Sequence, residues 1–335
     1  MAQSPMDPVE YLLRKFSFVR GLERGIRHLE KSVLELTGAR DRLESENRGL
    51  RGDLERWGRF CAPGHFYSPI PSREEVEAAF SRGGGGPPFP GVDFNEEGQV
   101  ALLRELAAYY PEMPFPEKAT AGRRYHLANA SYGPHDACIL YSMMRHLRPA
   151  RIVEVGCGHS SAAIMDLNDA LFGGRIALTF IDPDMSRFRE LLLPGETSGA
   201  TLIDKPVQEV ANGVFESLGA NDILLIDTSH VSKVGSDVND LFFRVLPALR
   251  PGVWVHIHDV TVDLEYPRHW FDEGRAWNEL YLLRAFLMYN RAFRVMYSSA
   301  LMYNRQHDFL RERMPMCAAG GGGQLWLRRE AAGQP

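Results

Sequence analysis

Hydrophobic positions along this chain follow first a seven-residue period and later a strand-and-helix rhythm. Leu22, Leu29, Leu36, Leu43, Leu50 and Trp57 form one line of sevens, and Ile26, Val33 and Leu54 form a second, interrupted by Arg40 and Asn47. Leucine at one seam position, with β-branched residues and one Asn at the other, is the pattern of a parallel two-stranded coiled coil. It predicts a long N-terminal helix and a homodimer formed through it. Gly25, Gly38 and Gly49 weigh against this, each costing ~1 kcal/mol relative to Ala inside a helix. The alternative is a long helix packed on its own domain.

Pro63, Pro69 and Pro71 end that helix, and RGGGGPPFPG (82–91) reads as a linker, flexible and then stiff. Short helices and loops are expected between 58 and 130. From 150 onward, short apolar runs alternate with helix-length stretches: RIVEV (151–155), RIALTFI (175–181), ATLI (200–203), DILLID (222–227) and GVWVHIH (252–258). That rhythm is repeated βαβ, hence a parallel sheet with helices on both faces. FRVMYSS (293–299) and QLWLRR (324–329), lying across a Gly-rich turn, predict a terminal antiparallel hairpin. The expected fold is α/β, a Rossmann-like doubly wound and mostly parallel seven-stranded sheet, preceded by the coiled-coil-like helix. The expected domains are 1–60 for that helix, 61–121 for a linker and cap segment, and 122–330 for the α/β domain.

Composition narrows the function. The chain has 335 residues, of which 44% are hydrophobic and 24% charged, ordinary values for a globular protein with a full core. Net charge is −5 and no basic stripe appears, which argues against a nucleic-acid partner. Cys61, Cys138, Cys157 and Cys317 are far apart with no CxxC pair, so neither a disulfide framework nor a structural zinc is expected. With no leader-like start and no apolar run of about 18 residues, a cytoplasmic protein without a membrane span is expected.

The first strand runs straight into EVGCGHSS (154–161), where Gly156 and Gly158 allow a tight turn and close approach of a ligand to the next helix's N-terminus. A plain strand-to-helix turn is the modest alternative. A dinucleotide fingerprint wants Gly or Ala where Ser161 stands, which disfavours a nicotinamide-dependent oxidoreductase. Asp182 ends the second strand, where an acid can accept both hydroxyls of a ribose. Glu154 and Asp182 together suit a ligand with a cationic amino-acid end and a nucleoside end.

At these residues the chain resembles the class I S-adenosylmethionine-dependent methyltransferases, in particular a bacterial group of O-methyltransferase-like proteins acting on small molecules and glycans. The resemblance extends through GHFYSPIPS (64–72), DILLIDTSHVSK (222–233), SDVNDLFFRVLPALRPGVWVHIHDV (236–260), EYPRHWFDEGRAWNELYLLRAFLMYN (265–290) and GGGQLWLRR (321–329). It implies S-adenosylmethionine as cofactor, with Glu154, Gly156, Gly158 and Ser160 holding its methionine part, Asp182 its ribose, and Val207 and Gln208 flanking its adenine.

Asp227 ends the fourth strand and His258-Asp259 the fifth, so all three face the crevice at the strand C-termini. In catechol-type O-methyltransferases, which the architecture is similar to, an acid at the end of strand four and a polar pair at the end of strand five bind magnesium; the matching positions are Asp227, His258 and Asp259, with Asp227 and Asp259 the candidate metal ligands. His258 is a poor ligand for a hard, oxygen-seeking ion. The metal-free alternative has His230 or His258 take the acceptor's hydroxyl proton, oriented by Asp227 or Asp259. Iron held by two histidines and one carboxylate is the least favoured reading, and a plain set of strand-end polar contacts is the bland one. His256 is expected to be a hydrogen-bonded core residue. HFYSP (65–69), with Trp270, Arg275, Trp277, Asn278 and Glu279, is expected to shape the pocket of a small-molecule or glycan acceptor, or else to form a packed lid. A cofactor-binding but inactive scaffold serving a glycan-assembly complex is the rival of another class.

Overall fold

The structure is a computed structural model, and it describes residues 8–57, 61, 63–82, 89–196 and 199–331. The chain divides into two compact units, Met1–Glu75 and Val76–Pro335. The first unit is dominated by helix α1, Pro8–Trp57, 50 residues long. The side chains of Leu54 and Trp57, which continue the seven-residue lines, lie outside the described residues, as does most of the glycine-rich linker.

In the second unit, helix Glu96–Ala107 precedes α2 (Pro134–Leu147), and a seven-stranded sheet follows. Its strands are β1 (Arg151–Val155), β2 (Ala177–Ile181), β3 (Thr201–Ile203), β4 (Ile223–Ile226), β5 (Trp254–Ile257), β6 (Phe293–Ser298) and β7 (Leu325–Arg329), in the order β3-β2-β1-β4-β5-β7-β6. The strands β1 to β5 pair in parallel, while β7 runs antiparallel to both β5 and β6. This is the mostly parallel Rossmann-like sheet with its antiparallel end that the hydrophobic rhythm predicts. Both β4 and β5 are buried at every position, because helices cover both faces of a parallel sheet; that is why β4 reads as an unbroken apolar run and β5 as one broken only by His256. The link from β6 to β7 is not a tight turn but a run of three short helices, Ser299–Arg305, His307–Arg313 and Pro315–Ala318.

The chain steps outward from β1 to β2 and β3, then returns to lay β4 on the other flank of β1. Strand order therefore reverses between β1 and β4, and there the loops after neighbouring strands part to leave a crevice. The loops after β1, β2, β4 and β5 carry Gly156, Asp182, Asp227 and the His258-Asp259 pair. Two more helices reach that edge, α3 (His159–Leu167) and α4 (Glu279–Leu287).

Candidate active site

The turn after β1 is built around Gly156. Its φ is +85°, and a Cβ placed there would stand 1.8 Å from the carbonyl oxygen of Asp227, so no other residue fits without moving the end of β4. Gly158 is different: its φ of −179° is extended, and a Cβ would make only ordinary contact with Arg187 Cδ at 3.4 Å. Ser161, the departure from a dinucleotide fingerprint, caps α3 by accepting a hydrogen bond from Gly158 N at 3.0 Å. Asp182 accepts from Cys157 N and Asp184 N, both at 2.8 Å, one on each carboxylate oxygen. That fixes the carboxylate at the rim with lone pairs to spare.

Glu154 is fully buried. Its Oε1 accepts from Ser160 Oγ at 2.5 Å, while Oε2 has no partner. Burial pushes its pKa up to about 8 against the help of Ser160 and Ser161. A cationic hydrogen-bond donor beside the unmatched oxygen would pair with it and favour the ionised carboxylate against burial. Val207 is 2% exposed and packed in the core, with its carbonyl held by Arg244; Gln208 lies on the surface, where its Nε2 donates to Gly235 O at 2.6 Å.

A second group of side chains meets at the ends of β4 and β5. His230 and Asp259 adopt left-handed backbone conformations, φ +59° and +57°, which a side-chain-bearing residue enters at a cost and which here turn both side chains toward Asp227. His230 Nε2 lies 3.4 Å from Asp227 Oδ1 and 3.4 Å from Asp259 Oδ2. Its other nitrogen, Nδ1, bonds Glu279 Oε2 at 2.8 Å, and the same oxygen accepts from Thr228 Oγ1 at 2.8 Å. The backbone N–H groups of Asn278 and Glu279 both donate to His230 O, so the start of α4 holds this residue by main chain and side chain together.

His258 stands on the opposite side of the same acids. Its Nδ1 is 3.5 Å from Asp259 Oδ1 and 3.9 Å from Asp227 Oδ1; its Nε2 is 3.7 Å from Asp136 Oδ2, an ion pair too long for a hydrogen bond. Asp136, on α2, is pinned by Gly323 N and Gln324 Nε2, each at 3.0 Å. The arrangement is therefore a central pair of carboxylates, Asp227 and Asp259, flanked by two histidines that are each backed by a further buried acid.

The electrostatics follow from this crowding. Burial alone would keep His230 neutral, but Asp227 and Glu279 outweigh it and lift its pKa to about 9. For His258 burial is likewise overridden, by Asp136, Asp227 and Asp259, and the value rises to about 10. Burial raises Asp259 above the usual carboxylate range, while the histidines draw Asp227 below it although burial pulls the other way. Asp227, His230 and Asp259 each offer a ligand atom, and these atoms all lie within 4.8 Å of one another.

A cavity of about 450 Å³ opens onto this cluster, lined by Asp136, His258, Asp259, Trp270, Tyr303 and Asn304, among others. Trp277 lies 4.2 Å from the His230 ring, and the Arg275 guanidinium sits 4.9 Å from both Trp270 and Trp277. Asn278 accepts from Ser232 N at 2.6 Å and so fastens the loop after β4. HFYSP belongs to the other compact unit, where the His65 ring stacks on Phe66 and Tyr67 lies tilted against both. Asp136 was invisible to sequence reasoning, since nothing in GPHDAC marks it. Glu279 stood out as a pocket residue but is the buried partner of His230. His256 corrects an expectation: it is a core residue, but neither ring nitrogen has a hydrogen-bond partner, because its neighbour is the face of Trp326, 4.8 Å away and nearly parallel.

Residues 153–260 match the model of a methyltransferase domain. An uncharacterised protein of Archaeoglobus fulgidus is 35% identical over 173 residues, spanning 50% of this chain and 77% of the relative. Among solved structures, the apo structure of CmcI-N160 shares 19% identity with a TM-score of 0.40, covering 67% of this chain and 84% of that one. The S-adenosylhomocysteine-bound Podospora anserina methyltransferase PaMTH1 shares 15% identity with a TM-score of 0.37, covering 79% of this chain and 99% of that one. No described helix is long and apolar enough to cross a membrane. The matched methyltransferase domain runs from β1 and its glycine turn to the strand-end acids after β5.

Proposed function

We propose that this protein transfers a methyl group from S-adenosylmethionine to a hydroxyl oxygen of a small-molecule or glycan acceptor. The observation that carries the reading is the double use of Asp227. Its backbone oxygen closes the floor of the Gly156 turn, and its side chain opens onto His230, His258 and Asp259. A cofactor cradle and an acid-histidine cluster that share a residue put a bound methyl donor beside groups able to activate an oxygen.

The cradle suits this cofactor. The unmatched Oε2 of Glu154 would receive its ammonium, the Gly156 turn its chain, and Asp182 its ribose hydroxyls. When bound, the cofactor supplies a methyl group on a sulfonium, ready for in-line displacement. The acceptor would enter the cavity that His258, Asp259 and Trp270 line.

A divalent cation also fits the cluster, held by Asp227, Asp259 and His230 Nε2, with Glu279 fixing the ring from behind in the way buried carboxylates orient ligand histidines. An imidazole beside two carboxylates matches manganese, iron or zinc better than magnesium, and such an ion acidifies an acceptor hydroxyl. His258, charged and facing the cavity, would stabilise the oxygen as it loses its proton, and Asp259, whose carboxyl burial raises, would receive that proton where no ion is present.

The test is calorimetric titration with S-adenosylhomocysteine, followed by methyl-transfer assays against a panel of hydroxyl acceptors with added manganese, with magnesium and with chelator. Binding in the wild type and its loss in Gly156→Asp are expected. Turnover in the panel removes the inactive-scaffold alternative, and absence of S-adenosylhomocysteine binding by the wild type would overturn the proposal.

A further inference from the structure

Helix α1 bears an apolar stripe that methyl transfer leaves without a task. Ile26, Leu29, Val33, Leu36, Leu43 and Leu50 are each 54–69% exposed in the single chain. Steps of three and four link the first four, and Leu43 and Leu50 follow at sevens with Arg40 and Asn47 at the places between, a spacing that keeps one face of a helix against a partner over many turns. A stripe of this extent marks an interaction surface.

Polar residues along the stripe define the partner. Asn47 stands on the same line as Ile26 and Val33. In a parallel, in-register pair it meets Asn47 of a second copy, and two amides satisfy each other; in an antiparallel pair it would face the leucine line and bury an unmatched amide. Arg40, on that line too, turns its guanidinium aside onto Asp41 at 2.8 Å and toward Glu44 at 3.7 Å, so that only its methylene stem need enter a seam. Glu46 and Arg51 border the stripe on opposite sides, five residues apart. That is the offset at which the borders of two parallel strands meet, and it pairs the acid of each copy with the base of the other. Arg51 is already steered to the seam, its Nε donating to Asn47 Oδ1 at 3.0 Å.

We propose that α1 joins two copies of this chain in a parallel, in-register coiled coil, with Asn47 meeting its own copy and Glu46 pairing with Arg51 across the seam. The inference is independent of the methyl-transfer reading.

Light scattering of the full-length protein is expected to give twice the 37.8 kDa of one chain. Full-length Leu36→Glu/Leu43→Glu should return to the single-chain mass while binding S-adenosylhomocysteine as the wild type does, which separates loss of association from loss of folding. Full-length Leu43→Cys, oxidised with diamide, should cross-link between chains to a much greater extent than the wild type, which already contains Cys61. A single-chain mass for the wild type overturns the proposal, including where another protein covers the stripe. So does a double mass that survives the two glutamates, since the contact then lies elsewhere. A double mass without cross-linking at 43 overturns the parallel register.

Discussion

His256 and His258 are two residues apart on one strand, and their surroundings are opposite. His256 is inside β5, fully buried against Trp326, and burial, with the charge of His258 added, pushes its pKa down to about 3. His258 lies one residue beyond the end of β5, where the sheet opens, and three acids override the same burial to bring it to about 10. One pleat of the chain therefore separates a ring held neutral from a ring held charged. A strand interior can offer only other strands and covering side chains; its end can gather residues from several loops and helices.

Substitutions on the two sides of that divide should separate activity from stability. Asp227→Asn at the open end should cost turnover roughly 10²–10⁴-fold, the range for a lost catalytic proton or charge group, with S-adenosylhomocysteine affinity nearly unchanged. Single-turnover assays beside calorimetry measure both, and unimpaired turnover would sink the cluster's role. Glu279→Gln keeps an acceptor for His230 Nδ1 but removes the charge; manganese affinity or activity should fall about 10–100-fold, as for other carboxylates behind a ligand histidine. Unchanged binding of Mn²⁺ by electron paramagnetic resonance would make Glu279 a packing residue only.

His256→Phe should leave turnover within a factor of about two but change how stability responds to acid. The unfolded chain protonates this histidine below its ordinary value of about 6.5, whereas the folded chain refuses the proton until pH nears 3. The folded pKa is depressed, so this contribution is fully present above pH 6.5 and drains away as pH falls toward 3. Urea unfolding between pH 7 and 4 should show the wild type losing on the order of a few kcal/mol more than the variant. Parallel curves would mean that the ring is charged in the folded state.

Much of the scaffold was legible because it rests on local repetition. Strands β1, β4 and β5 are buried over most of their length, so apart from Arg151, Glu154 and His256 their residues are apolar, and the seven-residue lines of α1 needed no tertiary context. The tight turn after β1 was legible too, since Gly156 and Asp182 stand just beyond two strand ends. The backing acids were not. Asp136 reaches His258 from a helix before the sheet begins, and Glu279 reaches His230 from one after β5, so neither has a spacing to announce it. The stacking of His256 on Trp326 was equally hidden, because β7 returns from the far end of the chain to lie beside β5.

The missing Cβ of Gly156 makes the routes by which this protein could decay unequal. Any side chain at 156 strikes the main chain of Asp227, so a change that fills the turn would displace the acid-histidine cluster in the same event. Changes confined to the side chains of Asp227, His230 or Asp259 spare the turn. A lineage leaving catalysis behind can therefore pass through a stage that still holds the donor, but one that breaks the turn has no stage at which the chemistry outlives the binding.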